Sequence, residues 1–395
     1  MICDKIKKLD DLLCNYLKPN KSIKHVDVSR LTAPGENYGS VMYKLDITIE
    51  NRENSKEEML HAVAKTIPEN PLLRLLFKIQ TTYTNEMAFY QIIIPTILDF
   101  QKELNISKTL DCFPRCLGIR KNLEKNSDVI DENAVLLLEN LAISGFTNID
   151  RNEGFDLETS KLVLRDLAEF HGVTLALKLY KPHVFEKNVK PYCHDFEHNS
   201  ELMRDLIALV ANEDQECAKI LSTIPNFGRR PRPMPNEPFA TIVHDDLWTN
   251  NTMQKFENGK PIANKMVDFQ IYSYGSPATD VFFYLWSSVP LDVLKNHIDQ
   301  LIEYYHGHFV DIMKIYACDV KPFSLEAFME EIKRISQFEF YHALFFHLIA
   351  VQAPKGGLDI TKMPTPAEIV KNVSSKAKEK TWYMIKECYK REWLR

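Results

Sequence analysis

His244, Asp246 and Asn251 stand in the spacing H-x-D-x-x-x-x-N, and a second carboxylate, Asp268, closes the apolar run Met266-Val267 that follows. Phosphoryl transfer calls for these groups: a carboxylate to accept the proton of an attacking hydroxyl, and an amide oxygen and a further carboxylate to ligate a metal. Mg2+ takes hard oxygen ligands and keeps several waters, so Asn251, Asp268 and the phosphates of ATP would suffice to hold it. Asp and Asn also gather in turns for conformational reasons, so the short pattern needs its flanks.

Those flanks favour chemistry. Phe239-Ala240-Thr241-Ile242-Val243 is a β-rich run leading into the motif, and residues 251–267 read as a hairpin whose turn is Glu257-Asn258-Gly259-Lys260. Asp246 and Asp268 are thereby expected at the two ends of one hairpin. The first third of the chain is β-rich, with strand-like segments at 27–33 and 40–50 joined by Pro34-Gly35-Glu36-Asn37-Tyr38-Gly39. Its two glycines permit a backbone close to phosphates, although an ordinary β-turn has the same composition. Residues 59–65 return as a strand, and His61-Ala62-Val63-Ala64-Lys65 is similar to the V-A-I-K run whose lysine touches nucleotide phosphates. A lysine at a strand end is otherwise simply solvated.

Farther along, residues 83–100 begin as an amphipathic helix that Pro95 is expected to interrupt, and 135–138 read as a buried strand. Helices are expected at 156–179, with His171 as a packing residue, and at 208–221. Residues 228–235, with Arg229, Arg230 and Arg232, read as a solvated linker loop.

The chain resembles the ecdysteroid kinase-like family of insects, also called the CHK kinase-like family, within the aminoglycoside and choline phosphotransferases. The resemblance is carried by His244-Asp245-Asp246-Leu247-Trp248 with Asn251, by Asp268-Phe269-Gln270, and by Gly275-Ser276-Pro277-Ala278-Thr279-Asp280. Gly35-Glu36-Asn37-Tyr38, Ala64-Lys65, Glu86-Met87-Ala88-Phe89-Tyr90 and Leu138-Glu139-Asn140-Leu141 extend it over nearly the whole chain. It implies an α+β, two-lobed protein-kinase-like fold, with a small β-rich N-terminal lobe and a larger, mainly helical C-terminal lobe. The division it suggests is a nucleotide-binding lobe at 1–137, a hinge at 138–142 and a catalytic, acceptor-binding lobe at 143–395.

By the same resemblance the catalytic residues are Asp246, as the base, with Asn251 and His244, while Asn251 and Asp268 hold Mg2+. ATP is met by Gly35 and Asn37 in the first turn, by Lys65 paired with Glu86, and by the backbone of Glu139, Asn140 and Leu141. Glu86 read alone is an exposed helical glutamate. Asp280 corresponds to an aspartate that anchors the catalytic loop by accepting backbone hydrogen bonds. One departure is visible: Asp245 stands where the family usually has glycine, and its carboxylate would either raise the pKa of one of the pair Asp245 and Asp246 or point to solvent.

Composition fits a cytoplasmic enzyme. A chain of 395 residues is long for one core, and a net charge of -5 gives no basic excess for nucleic acid. The N-terminus lacks the apolar stretch of a signal peptide, and no apolar run is long enough for a bilayer, so no membrane is expected as a partner. The eight cysteines are scattered, and neither Cys112 with Cys116 nor His194 with His198 completes a zinc pattern. No obligate protein partner is evident.

Eight residues separate Asp268 from Pro277, too few for the long phosphorylatable segment of protein kinases. The expected acceptor is therefore a small-molecule alcohol. Aromatics such as Tyr272, Tyr274, Trp286, Tyr305, Phe340, Tyr341, Phe345 and Phe346 are expected mostly in the core, with enough left to line an apolar pocket. A steroid-like alcohol follows from the resemblance; a choline or ethanolamine kinase, or a non-catalytic ligand-binding relative, are the alternatives.

Overall fold

Leu45, Ile47 and Ile49 alternate with more exposed neighbours, as do Leu60, Ala62 and Ala64, so each segment buries one face when paired as a strand. The pairing is seen in the computed structural model, which describes residues 5–18, 20–32, 39–124, 127–194, 200–224, 231–352 and 365–394. Strands β1 (Lys21–Arg30), β2 (Val41–Asn51), β3 (Glu57–Thr66), β4 (Cys116–Arg120) and β5 (Val135–Glu139) form one antiparallel sheet in the order β1-β2-β3-β5-β4. Strand β1 starts at Lys21, earlier than the apolar pattern indicates. Lys21 and Lys24 there face Glu58, Glu50 and Glu57 across the sheet, and such charged pairs hide a strand from a hydrophobic reading.

One face of the sheet packs Leu45, Ala62, Ala64 and Leu137 on two short helices, α1 (Leu9–Leu12) and α2 (Cys14–Leu17). Lys65, the next residue of β3, thus falls on the opposite face. Helices α3 (Pro71–Leu76), α4 (Ile79–Ala88) and α5 (Ile94–Glu103) follow β3. Pro95 does not stop the helix as expected: the preceding turn, Phe89–Ile93, is π-helical, and Pro95 falls in the first turn of α5. There its missing N–H is tolerated.

Helix α6 (Leu157–Tyr180) is capped by the Asp156 carboxylate, which accepts from Thr159 N at 2.7 Å. It is followed by α7 (Pro182–Asn188), α8 (Ser200–Ala211) and α9 (Gln215–Ser222). The single helix expected at 208–221 is two, because Asp214 takes extended backbone and caps α9 by accepting from Cys217 N. The hairpin forms as the Asn-Gly turn predicts: β6 (Phe146–Thr147), β8 (Thr252–Glu257) and β9 (Lys260–Met266) make a three-stranded sheet, with Asn258 and Gly259 both at positive φ. Between them in sequence, β7 (Thr241–Val243) pairs with β10 (Ser273–Gly275).

Helices α10 (Pro277–Ser288), α11 (Leu291–Ile315), α12 (Leu325–Phe346), α13 (Pro366–Asn372) and α14 (Ser375–Lys390) complete the larger lobe, and Trp286, Tyr305 and Phe340 lie in its core. The result is the two-lobed α+β, protein-kinase-like fold. Among the described residues no helix is long and apolar enough to cross a membrane.

Candidate active site

The loop between β7 and β8 is held from below by one buried carboxylate. Asp280, in the first turn of α10, accepts from His244 N at 2.6 Å on Oδ2 and from Asp245 N at 2.9 Å on Oδ1. His171 Nε2 lies 3.0 Å from Oδ2, and its Nδ1 lies 2.7 Å from the Tyr305 hydroxyl. With these partners Asp280 stays below its ordinary pKa although burial pushes the other way. His171 is thus a satisfied core residue on α6.

His244 is fully buried. Its Nε2 lies 3.0 Å from the Val267 carbonyl, and its Nδ1 accepts from Asp246 N at 3.3 Å. Both contacts fit the neutral ring protonated on Nε2, and burial holds its pKa down. With both ring nitrogens engaged inside the protein, His244 ties the loop to the strand end at Val267.

Asp246 is half-buried, and Asn251 Nδ2 donates both to its Oδ2 at 2.9 Å and to its main-chain carbonyl at 2.8 Å. Burial first, and the Asp268 charge second, raise the Asp246 carboxyl well above its usual range. Val267 N donates to the Asn251 carbonyl at 2.9 Å, closing the hairpin so that Asn251 and Asp268 end up side by side. Asp268 sits at φ 66°, a left-handed conformation that Asp tolerates better than most residues.

Lys65 reaches across from β3. Its Nζ lies 2.7 Å from Glu86 Oε2 on α4 and 2.7 Å from Asp268 Oδ1, with the lysine and Glu86 almost fully buried. Burial opposes the lysine charge, but the two carboxylates outweigh it and raise its pKa. Glu86, buried and competing with Asp268 for the same cation, is pushed up to about 7. Helix α4 is tied to the segment after Asp268 by Tyr272 Oη, which donates to the Asn85 carbonyl at 3.1 Å.

Among the described residues no group of three or more His, Cys, Asp or Glu could hold a metal alone. The donors at hand are hard oxygens. Asn251 uses its amide nitrogen on Asp246, which leaves Oδ1, and Asp268 uses Oδ1 on Lys65 while its side chain is 36% exposed. One amide oxygen and one carboxylate fit Mg2+ completed by phosphate and water oxygens.

Glu139 ends β5, where its N–H donates to the Arg115 carbonyl and its Oε1 accepts from Arg115 N. Asn140 N donates to the His61 carbonyl, and its side chain caps the 3-10 turn Leu141–Ser144. Leu141 begins that turn, so its N–H is one the turn cannot use. Gly35 and Asn37 lie outside the described residues, as do Arg229, Arg230 and His198.

Sequence reasoning missed two features. Arg232, expected in solvent, donates Nη1 to Asp245 Oδ2 at 2.8 Å and Nη2 to Asp245 Oδ1 at 2.6 Å and to Ser273 Oγ at 3.0 Å. Asp245 therefore does not point to solvent; it is 7% exposed at φ 63°, the conformation for which glycine is the usual choice. An acidic residue at a glycine position with an arginine thirteen residues upstream was the available signal. Its charge adds to the rise at Asp246, behind burial and Asp268. Phe269 stacks on Phe89 at 3.7 Å and packs edge-on to Phe113 and Phe170, a knot joining both lobes behind the site. No local pattern pairs such distant rings.

A protein-kinase-like fold whose loop, hairpin and lysine bring Asp246, Asn251, Asp268 and Lys65 together defines a kinase-like phosphotransferase of the small-molecule class. Residues 34–317 match the ecdysteroid kinase-like family, and the chain belongs to that family. No curated protein matches the sequence. Among solved structures, the Plasmodium vivax ethanolamine kinase is similar at 12% identity, over 93% of this chain and 84% of that one, with a TM-score of 0.42. The choline kinase of Cryptosporidium parvum is similar at 9% identity, over 98% and 92% of the two chains, with a TM-score of 0.40. The wild-type aminoglycoside 2'-phosphotransferase-IIIa in its GDP complex matches at 13% identity, over 96% and 99%, with a TM-score of 0.36.

Proposed function

We propose that the chain transfers the terminal phosphoryl group of ATP, with Mg2+, to a hydroxyl of a small lipophilic alcohol, an ecdysteroid or a related steroid or xenobiotic. The observation that carries the reading is the meeting of Asp246, Asn251 and Asp268 at the ends of one hairpin with Lys65 from the other lobe. Asp246 accepts the hydroxyl proton, and its raised pKa makes it a stronger base than a solvated carboxylate. Asn251 Oδ1 and Asp268 would hold Mg2+, which would supply positive charge to offset that of the phosphates. Lys65, oriented by Glu86, steadies the phosphates, and Asp280 with His244 keeps the loop in register.

The nucleotide is assigned to residues 1–137 and the hinge at 138–142, with the backbone of Glu139, Asn140 and Leu141 for the adenine and Gly35 and Asn37 as phosphate contacts. The acceptor is assigned to 143–395. A cytoplasmic location, where ATP is supplied, goes with the reading.

A neutral acceptor is favoured by Arg232. The carboxylate beside the base is already committed to a guanidinium, whereas a choline headgroup needs a free carboxylate and an aromatic cage. Trp248, two residues from the base, packs edge-on to the half-buried Phe346, an apolar wall next to the loop. A steroid buries several hundred Å2 at ~25 cal/mol per Å2, enough to be held without a charged anchor. The short stretch after Asp268, pinned as β10 against β7, supports a small acceptor over a protein one. The test is an ATP-consumption screen with Mg2+ against ecdysteroids, choline and hydroxylated plant toxins, with products read by mass spectrometry. A phosphorylated steroid is expected. Efficient phosphorylation of choline with none of steroids would overturn the acceptor, and nucleotide binding without turnover on any alcohol would favour a non-catalytic ligand binder.

A further inference from the structure

Two buried bases face one cavity that none of the catalytic residues line. The cavity, about 150 Å3, lies between the C-terminal end of α10, the π-helical turn His347–Val351 after α12 and the first turns of α14. Lys376 and Lys380 stand one turn apart on α14, and both line it. Lys380 is 7% exposed and, among the described residues, has neither a carboxylate nor a carbonyl as partner. His347 is 5% exposed, and neither ring nitrogen makes a well-formed hydrogen bond, the Ala377 backbone being its polar neighbour. Native proteins rarely leave such groups unmatched, because a desolvated amine or imidazole regains its lost hydration only from a partner.

The surroundings decide what that partner is. Arg151, engaged by other groups, and Glu153 sit on the wall, so Lys376 and Lys380 still outnumber the single carboxylate. Gln352 Oε1 accepts from Ser374 Oγ at 3.0 Å, leaving its amide nitrogen as a further donor. Water would satisfy some of these donors but would not balance the positive excess. Burial, then the neighbouring Lys376, lowers Lys380 to about 7, and burial, then Lys380, lowers His347 to about 3. An anion would restore the lysine charge.

We propose that this cavity is a second binding site, separate from the phosphoryl-transfer site, for a small oxyanion of the size of phosphate or a short carboxylate, held by Lys376, Lys380, His347 and Gln352. The ammonium of Lys380 is its central donor. Binding takes up a proton near neutral pH and weakens as pH rises, since Lys380 is the group that must be charged while His347 stays neutral.

The test is the melting temperature of the full chain with inorganic phosphate or acetate exchanged for chloride at constant ionic strength. Wild type should gain about 3–5 °C at a hundredfold excess over Kd. Lys380→Met should melt above wild type without anion and should lose the response, because it removes both the unpaired amine and the ligand. Lys376→Gln, at an exposed position, should reduce the response and serves as the deciding variant if Lys380→Met does not fold. Lys65→Met should keep the response, which separates this site from the nucleotide site. Response to phosphate alone assigns a tetrahedral anion, and response to acetate alone a carboxylate. No gain in wild type, or an equal gain in wild type, Lys380→Met and Lys376→Gln, would overturn the proposal.

Discussion

Replacing Arg232 by methionine removes the bidentate partner of a buried carboxylate. The Asp245 side chain is 8% exposed and that of Arg232 19%, and two parallel contacts of 2.8 and 2.6 Å join them. Breaking a buried pair from one side costs about 3–5 kcal/mol. The partial exposure of Arg232 brings the expected loss to about 2–4 kcal/mol. Ser273 Oγ also loses its guanidinium contact, which loosens β10. Burial already holds the Asp245 carboxyl above its ordinary pKa, and without Arg232 it rises further. A folded pKa above the unfolded value of about 3.9 destabilises at higher pH, so the deficit should be largest near neutrality and shrink as pH falls through the raised pKa. Asp245→Gly suits φ 63° and removes the charge, so the double variant should cost at least about 1.5 kcal/mol less than the sum of the singles. Urea unfolding at about pH 7.5 and about pH 5 reads all of this. A loss for Arg232→Met under about 1 kcal/mol that does not change with pH, or strict additivity, would refute the reasoning.

Lys65→Met and Glu86→Gln should each weaken ATP binding and turnover, and the double variant should lose clearly less than the two combined, because the first change strands Glu86 and the second leaves Lys65 with Asp268 alone; additive losses in a steady-state cycle would mean that the pair does not act as a unit. Asp280→Asn keeps the shape but gives up one acceptor, so His244 N, Asp245 N or His171 is left unmatched; stability should fall by about 1–3 kcal/mol and turnover with it, and full activity in the variant would dismiss Asp280 as the anchor.

How much of this was legible in the sequence depends on the range over which each device acts. The Asn258-Gly259 hairpin, the helix expected at 156–179 and the strand bearing Lys65 were readable because turn chemistry and apolar periodicity are local. Short-range signals misled where geometry could absorb them: the π turn ahead of Pro95 keeps the helix running, and the Asp214 cap splits a segment whose apolar pattern is continuous. The family resemblance supplied Glu86 and Asp280, which nothing in their own neighbourhoods distinguishes from a helical glutamate and a first-turn aspartate. Contacts between distant segments were out of reach. The Phe89–Phe269 stack and the grip of Arg232 on Asp245 and Ser273 exist only once the lobes and loops have met.

The central claim is that Asp246 is the base of a phosphoryl transfer. Its most direct test is single-turnover transfer of phosphate from ATP to an accepted alcohol, compared between wild type and Asp246→Asn with nucleotide affinity measured alongside. Turnover should fall by on the order of 10²–10⁴ while ATP binding is kept, since only proton acceptance and hydroxyl alignment are lost. Wild-type turnover in Asp246→Asn would contradict the account.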